Sequence, residues 1–209
     1  MQTIQNSWMA FKLGGVMMWP LSLLAVLALA IMLEKAVLYW RYTSLNEALS
    51  ELLESYETPW TTLVSELSKS NKNNYFYKFF HVIVDNKTHP FWWVESRAAD
   101  EAQLIENQLS KRLWLLETTV TAAHLLGLMG TIAGMMHAFQ LIGTNGLVNP
   151  TGVTGGVAQA LIATALGLAI ALASLFGFNY FSRLQAQTLD KMERLGTRLI
   201  DHIRLDQQG

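Results

Sequence analysis

The side chains that could do chemistry lie in a long stretch of sequence without any charge. Between Glu117 and Arg183 there is no Asp, Glu, Lys or Arg. A polar group in such an apolar stretch is a functional candidate, because hydrocarbon surroundings offer it few hydrogen-bond partners. The candidates are Thr131, Thr164, Gln159, His124 and His137.

The residue types limit the chemistry. A threonine hydroxyl or a glutamine amide can hydrogen-bond water or a partner's carboxyl group, but it carries no charge. His137 falls near one end of its stretch, where a place at the membrane interface is favoured, and the deeper His124 can bond a neighbouring helix as a neutral ring. No two histidines stand at a metal-ligand spacing and the chain has Cys 0, so we expect no metal and no cofactor.

Acidic groups are missing where a proton path would need them. No carboxylate lies inside the uncharged stretches, so this chain cannot alone supply the usual protonatable relay of a proton-driven device, and a partner subunit would have to bring it. No nucleophile, base and orienting group converge by spacing, so we do not expect an enzyme. The net charge of -1 leaves no positive surplus for nucleic acid.

Small residues recur at steps of three and four around the two threonines. That spacing places them on one face of a helix, and in lipid such faces mark close helix contacts or the lining of a narrow pore. Both interpretations stay open, since a threonine hydroxyl can also bond its own helix carbonyls. The first face holds Ala123, Gly127, Thr131, Gly134 and Ala138, with Gly130 as a further packing residue; the second holds Ala160, Thr164, Gly167, Ala171 and Ser174.

Three apolar runs can form membrane-spanning helices, and the second and third of them hold these residues. A bilayer core needs about 20 mostly apolar residues in helical form, and the chain is 51% hydrophobic and only 15% charged. We expect an all-α integral membrane protein with three transmembrane helices, spans two and three extending into a cytoplasmic helical bundle. The predicted segments are 1–15 (periplasmic), 16–41 (span one, a retained anchor), 42–115 (cytoplasmic), 116–143 (span two), 144–154 (periplasmic loop), 155–181 (span three) and 182–209 (cytoplasmic C-terminal helix).

The orientation follows from the distribution of lysine and arginine. Positive residues follow span one, precede span two and follow span three, whereas the other side holds Lys12 and an uncharged loop. Because cytoplasmic flanks carry the excess of positive charge, the N terminus is expected outside and the C terminus inside.

The cytoplasmic segment is predicted to be helical. Pro59 starts a helix that the Asn71 to Asn74 tract ends, and the pattern from Tyr75 to Val84 fits helix or strand equally. No Gly or Pro occurs from Phe91 until Gly127, so one helix is expected to run unbroken into span two.

Three motifs together resemble the MotA/TolQ/ExbB proton channel family, and within it the ExbB-type biopolymer transport proteins. Gly14 to Lys35 (GGVMMWPLSLLAVLALAIMLEK) is similar to a first span that bears Trp-Pro and ends in Leu-Glu-Lys. Leu125 to Phe139 (LLGLMGTIAGMMHAF) resembles the second span, and Gly155 to Phe181 (GGVAQALIATALGLAIALASLFGFNYF) resembles the third.

The resemblance implies a homo-pentamer in the bacterial inner membrane that encloses helices of an ExbD-like partner. The partner's membrane Asp would take protons from the periplasm, and a TonB-like protein would carry the motion to outer-membrane transport. Thr131 and Thr164 match the threonines that line the family's pore, and the lack of a carboxylate becomes an expectation.

The chain departs from the family pattern at three positions. The third-span Glu is Gln159, and two prolines are replaced by His124 and Ala173. Gln159 hydrogen-bonds but cannot ionise. Two alternatives to an ExbB-like motor therefore stay open: a TolQ-like subunit of a Tol-Pal-type envelope machine, which shares spans two and three, and a non-conducting membrane scaffold.

Overall fold

The computed structural model describes residues 15–45, 47–54, 59–140 and 150–208. Lys12 and the rest of the predicted periplasmic segment before Gly15 lie outside the described residues, and so do residues 144–149 of the predicted loop. Within these ranges the structure contains α-helices and no strand. The helices are α1 (Met18–Tyr42), α2 (Glu47–Glu54), α3 (Trp60–Lys69), α4 (Tyr75–Asp85), α5 (Phe91–Ser110), α6 (Leu113–Gln140) and α7 (Pro150–Gln208).

Three stretches of helix are long and apolar enough to cross a membrane, as the sequence predicts. They are α1, the stretch Phe91–Gln140 that contains α5 and α6, and α7. Large apolar side chains of α1 point outward, for example Leu23, Val26 and Leu29, which are 62%, 63% and 56% exposed. Such exposure suits a helix whose outer surface is covered by lipid.

The predicted unbroken helix from Phe91 into span two is wrong at one point. Helix α5 ends at Ser110 and α6 begins at Leu113, because Lys111 and Arg112 leave the helical conformation and Arg112 has a φ of 67°. The carbonyl oxygen of Leu109 loses its intrahelical partner at this break and instead accepts a hydrogen bond from the buried side chain of Lys35, 2.5 Å away.

Helix α7 begins before the predicted third span and continues beyond it. It begins at Pro150 rather than at residue 155, since a proline fits the first turn of a helix, where no N–H is needed. It then runs to Gln208 without interruption at Gly196. The third long helix therefore continues into the charged C-terminal segment.

The chain divides into two compact units. The first, which we call the membrane unit, holds the described residues up to Met32 together with Arg112–Asn179. Its buried core contains Leu21, Ala123, Ile170 and Ala171. The second, which we call the helical unit, holds Leu33–Lys111 and the described residues from Tyr180 onward.

The helical unit is organised around α4 and the last part of α7. The ambiguous stretch from Tyr75 is a helix, because Asn74 caps its start by accepting a hydrogen bond from the N–H of Phe76 at 2.8 Å. Gly196 of α7 meets Phe79 so closely that an added Cβ atom would lie 2.7 Å from the ring. The buried side chains of α4 recur at helical spacing: Tyr75, Phe76, Phe79, Phe80, Ile83 and Val84.

Candidate functional site in the membrane unit

Helices α6 and α7 approach each other along the small residues that the sequence places on one face. An added Cβ atom at Gly167 would lie 2.5 Å from the carbonyl oxygen of Ala123 and 2.9 Å from the Cα atom of Gly127. These are backbone atoms, which move aside only if the helices separate. The residues predicted to pack are all buried: Gly127, Gly130, Gly134, Ala160, Gly167 and Ala171.

Thr164 links the two helices by a hydrogen bond. Its hydroxyl donates to the carbonyl oxygen of Gly127 on α6, at 2.9 Å, and the side chain is half-buried. The donation uses the one hydroxyl proton, so the oxygen of Thr164 keeps its lone pairs and can still accept a hydrogen bond from water or a carboxylic acid.

Thr131 stands one turn further along α6 than Gly127. Its hydroxyl donates to the carbonyl oxygen of Leu128 in its own helix, at 2.6 Å, and it is also half-buried. Four residues advance a helix by about 6 Å. The structure therefore places Thr131 one turn along α6 from the carbonyl group that accepts the Thr164 hydrogen bond.

Gln159 lies apart from the threonines, against Gly15. An added Cβ atom at Gly15 would lie 1.6 Å from the amide nitrogen Nε2 of Gln159 and 2.8 Å from its Cδ atom. Five residues separate Gln159 from Thr164, a rotation of about 140° around α7. The structure thus places Gln159 beside the start of α1 and on another side of α7 from Thr164. The sequence did not single out Gly15 as a partner of Gln159. The structure gives Gly15 a φ of 71°, a conformation that glycine adopts readily.

The two histidines of α6 are both exposed and lie on different sides of the helix. In the part of the chain that the structure describes, neither ring makes a hydrogen bond or an ion pair, and no cluster of potential metal ligands occurs. His124 lines a shallow groove between α6 and α7, together with Leu168 and Leu172.

Lys35 is a second residue whose role the sequence did not reveal. The sequence identifies it only as a positive flank of span one, yet its side chain is 1% exposed within the helical unit. Its ammonium group donates to the carbonyl oxygen of Leu109 at the C-terminal end of α5. A cation is favourable at this end of a helix, because the free carbonyl groups carry partial negative charge.

Comparison with known proteins places these features in a family. The MotA/TolQ/ExbB proton channel family model matches residues 68–194. A biopolymer transport protein from Synechocystis, ExbB-like 3, is 32% identical over 178 residues, which cover 82% of this chain and 82% of that protein. The biopolymer transport protein ExbB of Aquifex aeolicus is 42% identical over 83 residues, 40% of this chain and 55% of that protein.

A further match also covers less than half of this chain. The biopolymer transport protein ExbB of Xanthomonas campestris is 35% identical over 94 residues, which cover 45% of this chain and 37% of that protein. The matches to the Aquifex and Xanthomonas proteins each span less than two thirds of those proteins. The family model nevertheless matches more than half of this chain, and the Synechocystis relative aligns over most of it. With its three candidate spans, this multi-pass membrane protein belongs to the MotA/TolQ/ExbB proton channel family.

Proposed function

We propose that this chain is the ExbB-like subunit of an inner-membrane motor that uses the proton-motive force to energise TonB-dependent transport across the outer membrane. The observation that carries the proposal is that a member of a proton channel family has no charged residue between Glu117 and Arg183. The usual proton path in a membrane needs a carboxyl group that binds and releases protons, and a partner must supply that carboxyl group. An ExbD-like subunit with an Asp in its membrane helix fits this requirement.

The assembly that we propose is a homo-pentamer around the partner's helices. Small-residue faces let helices approach closely, and a cyclic oligomer closes repeated contacts of one kind around an axis. The N terminus lies in the periplasm and the C terminus in the cytoplasm, according to the distribution of positive charge. Native mass spectrometry in detergent should show five copies, and a stable monomer would contradict the pore.

The proton path is proposed to pass Thr131 and Thr164. Gln159, the third polar residue predicted for the path, packs against Gly15 on another side of α7 and is tested separately. The hydroxyl oxygens of both threonines can accept a hydrogen bond while they donate to helix carbonyl groups. Such acceptors can hold the partner's protonated carboxyl group, or water beside it, during transfer. Replacing either threonine by valine keeps the volume and removes the acceptor.

The test is proton uptake by the complete complex in liposomes. The chain is co-purified with an ExbD-like partner, and a potassium diffusion potential drives protons inward. Thr131→Val and Thr164→Val should each slow uptake at least tenfold, a change of about 1.4 kcal/mol in the barrier. Thr118→Val is the matched control, because the exposed Thr118 donates to its own helix at the Trp114 carbonyl oxygen. Normal uptake by both pore variants would refute their part in the path.

Gln159 favours a second candidate, a non-conducting scaffold. It replaces the ionisable Glu of the family pattern, and its amide packs on Gly15. Gln159→Glu restores a carboxyl group of the same shape. A complex that conducts protons faster with this change is an attenuated motor, whereas a complex that conducts protons in neither form is a scaffold.

The other alternative is a TolQ-like subunit of a Tol-Pal-type envelope machine. A TolA-like rather than a TonB-like neighbouring gene would assign the chain to this Tol branch.

A further inference from the structure

One face of α6 carries three polar residues at intervals of seven. Glu117, His124 and Thr131 follow one another at this spacing, and seven residues bring a helix to within about 20° of two complete turns. The three side chains therefore lie in a line along the helix. Glu117 and His124 are exposed and Thr131 is half-buried. The line runs from the second turn of α6 to the threonine at the proposed pore.

This line lies on the side of α6 that is turned away from the start of α1. An added Cβ atom at Gly130 would meet the Cβ atom of Ala163 on α7 and would lie 3.7 Å from the Cβ atom of Met17, so this side of α6 faces both α7 and the residues just before α1. His124 precedes Gly130 by six residues, a rotation of about 120°. His124 thus lies on a different side of α6 from Gly130, at the edge of the contact between α6 and α7.

The surroundings of His124 are apolar. It lines a groove of about 220 Å³ whose α7 wall consists of Leu168, Ala171, Leu172 and Leu175. Val120 and Thr121 complete the lining from α6, and the hydroxyl of Thr121 already donates to the carbonyl oxygen of Thr118. His124 is therefore the titratable group among the residues that line this groove, and the charged group nearest along its own line is Glu117.

We propose that His124 is a proton relay on the inner side of the pore, passing protons from the region of Thr131 toward Glu117. The inference rests on the proposed function, since the partner's carboxyl group supplies the proton. Histidine suits this task because it is the side chain that ordinarily changes charge between pH 5 and pH 8. The family pattern has a proline at this position, so the relay would distinguish this chain from such relatives.

The transfer is balanced at each step. The partner's carboxylic acid releases a proton to water near Thr131, and the free ring nitrogen of His124 takes a proton from that water. The other ring nitrogen then releases its proton to water on the Glu117 side, and the ring returns to its neutral form after changing tautomer. Seven residues correspond to about 10.5 Å along the helix, so water bridges both intervals.

The experiment uses the complete complex in liposomes, with proton uptake measured between pH 5 and pH 8. His124→Gln should reduce uptake at least tenfold and remove its dependence on pH in this range, and Glu117→Gln should reduce it less. His137→Gln is the matched control on the same helix and should conduct normally. In His124→Ala, imidazole added to the buffer should restore part of the lost uptake, which a packing role would not allow.

The other outcomes distinguish a failure of the relay from a failure of the proposed function. If the unmodified complex conducts and His124→Gln conducts equally with the same pH profile, the relay is refuted and the proposed function stands. If the unmodified complex takes up no protons, the proposed function fails and the relay fails with it. Where His124→Gln does not assemble, ¹⁵N spectra of the histidine ring in the unmodified complex give a second test. A ring that keeps one protonation state from pH 5 to pH 8 refutes the relay.

Discussion

The ammonium group of Lys35 donates a hydrogen bond to the carbonyl oxygen of Leu109, 2.5 Å away, inside the helical unit. Leu109 is the second-last residue of α5, and the chain leaves the helix at Lys111 and Arg112. A carbonyl group at a helix end that is buried without a partner destabilises the fold. Lys35 therefore stabilises the break between α5 and α6 from a distant part of the sequence.

Removing that ammonium group should destabilise the protein. Lys35→Met keeps the length of the side chain but leaves the Leu109 carbonyl oxygen without this donor, at a cost of about 1.5–3 kcal/mol in the free energy of unfolding. Denaturant titration in detergent, followed by circular dichroism, measures this cost. Lys111→Met is the control, since Lys111 is exposed at the same helix end. A Lys35→Met protein more stable than the unmodified one would mean that burying the charge costs more than its hydrogen bond contributes.

The glycines of α7 should differ in how they tolerate alanine. At Gly167 the added Cβ atom meets backbone atoms of α6, so Gly167→Ala should cost about 1–3 kcal/mol. At Gly177 it meets the flexible end of Met32, with Sδ at 2.6 Å, and the cost should be smaller. At Gly155 no described atom lies within 4 Å, and alanine should stabilise the helix by about 0.5–1 kcal/mol. Thermal unfolding of the three variants gives the order, and equal midpoints would contradict the close helix contact.

The sequence predicts the spans and the small-residue faces well because both depend on local spacing. A run without charge must be long enough to cross a bilayer, and steps of three and four place residues on one helix face whatever lies elsewhere. The start of α3 after Pro59 is local in the same way.

The break after α5 could not be predicted, because nothing in its own residues ends a helix. Neither Lys111 nor Arg112 is a glycine or proline, and Arg112 takes a φ of 67° that such a residue rarely adopts. The donor that satisfies Leu109 comes from residue 35, in another helix. The same holds for Gln159, since a polar residue in a span does not reveal that its amide packs on Gly15. Contacts between distant residues decide both features.

Replacing Ser174 by alanine should stabilise the protein. It is 0% exposed, and among the described residues its hydroxyl oxygen is a buried side-chain atom without a hydrogen-bond partner. A buried polar group left unpaired costs about 1–3 kcal/mol, so Ser174→Ala should raise the free energy of unfolding. Thr119→Val is the control, because the buried Thr119 donates to the Leu115 carbonyl oxygen at 2.7 Å and should gain nothing. A loss of stability in Ser174→Ala would show that its hydroxyl has a partner in the assembled protein.

Gly15 and Gln159 should be energetically coupled, because an added side chain at Gly15 would occupy the place of the Gln159 amide. Gly15→Ala alone must displace that amide and also hold alanine near a φ of 71°, which costs about 1–2 kcal/mol by itself. In the double variant Gly15→Ala with Gln159→Ala the amide is gone and only the backbone cost remains. The loss of stability should then be smaller than the sum of the single losses by about 0.5–3 kcal/mol.

The control is the pair Gly177→Ala and Gln159→Ala. Their losses of stability should add, since 18 residues of one helix separate the two sites by about 27 Å. Denaturant titration of all the variants measures the free energies of unfolding for both double-mutant cycles, and additive losses at Gly15 and Gln159 would mean that the amide moves aside without cost.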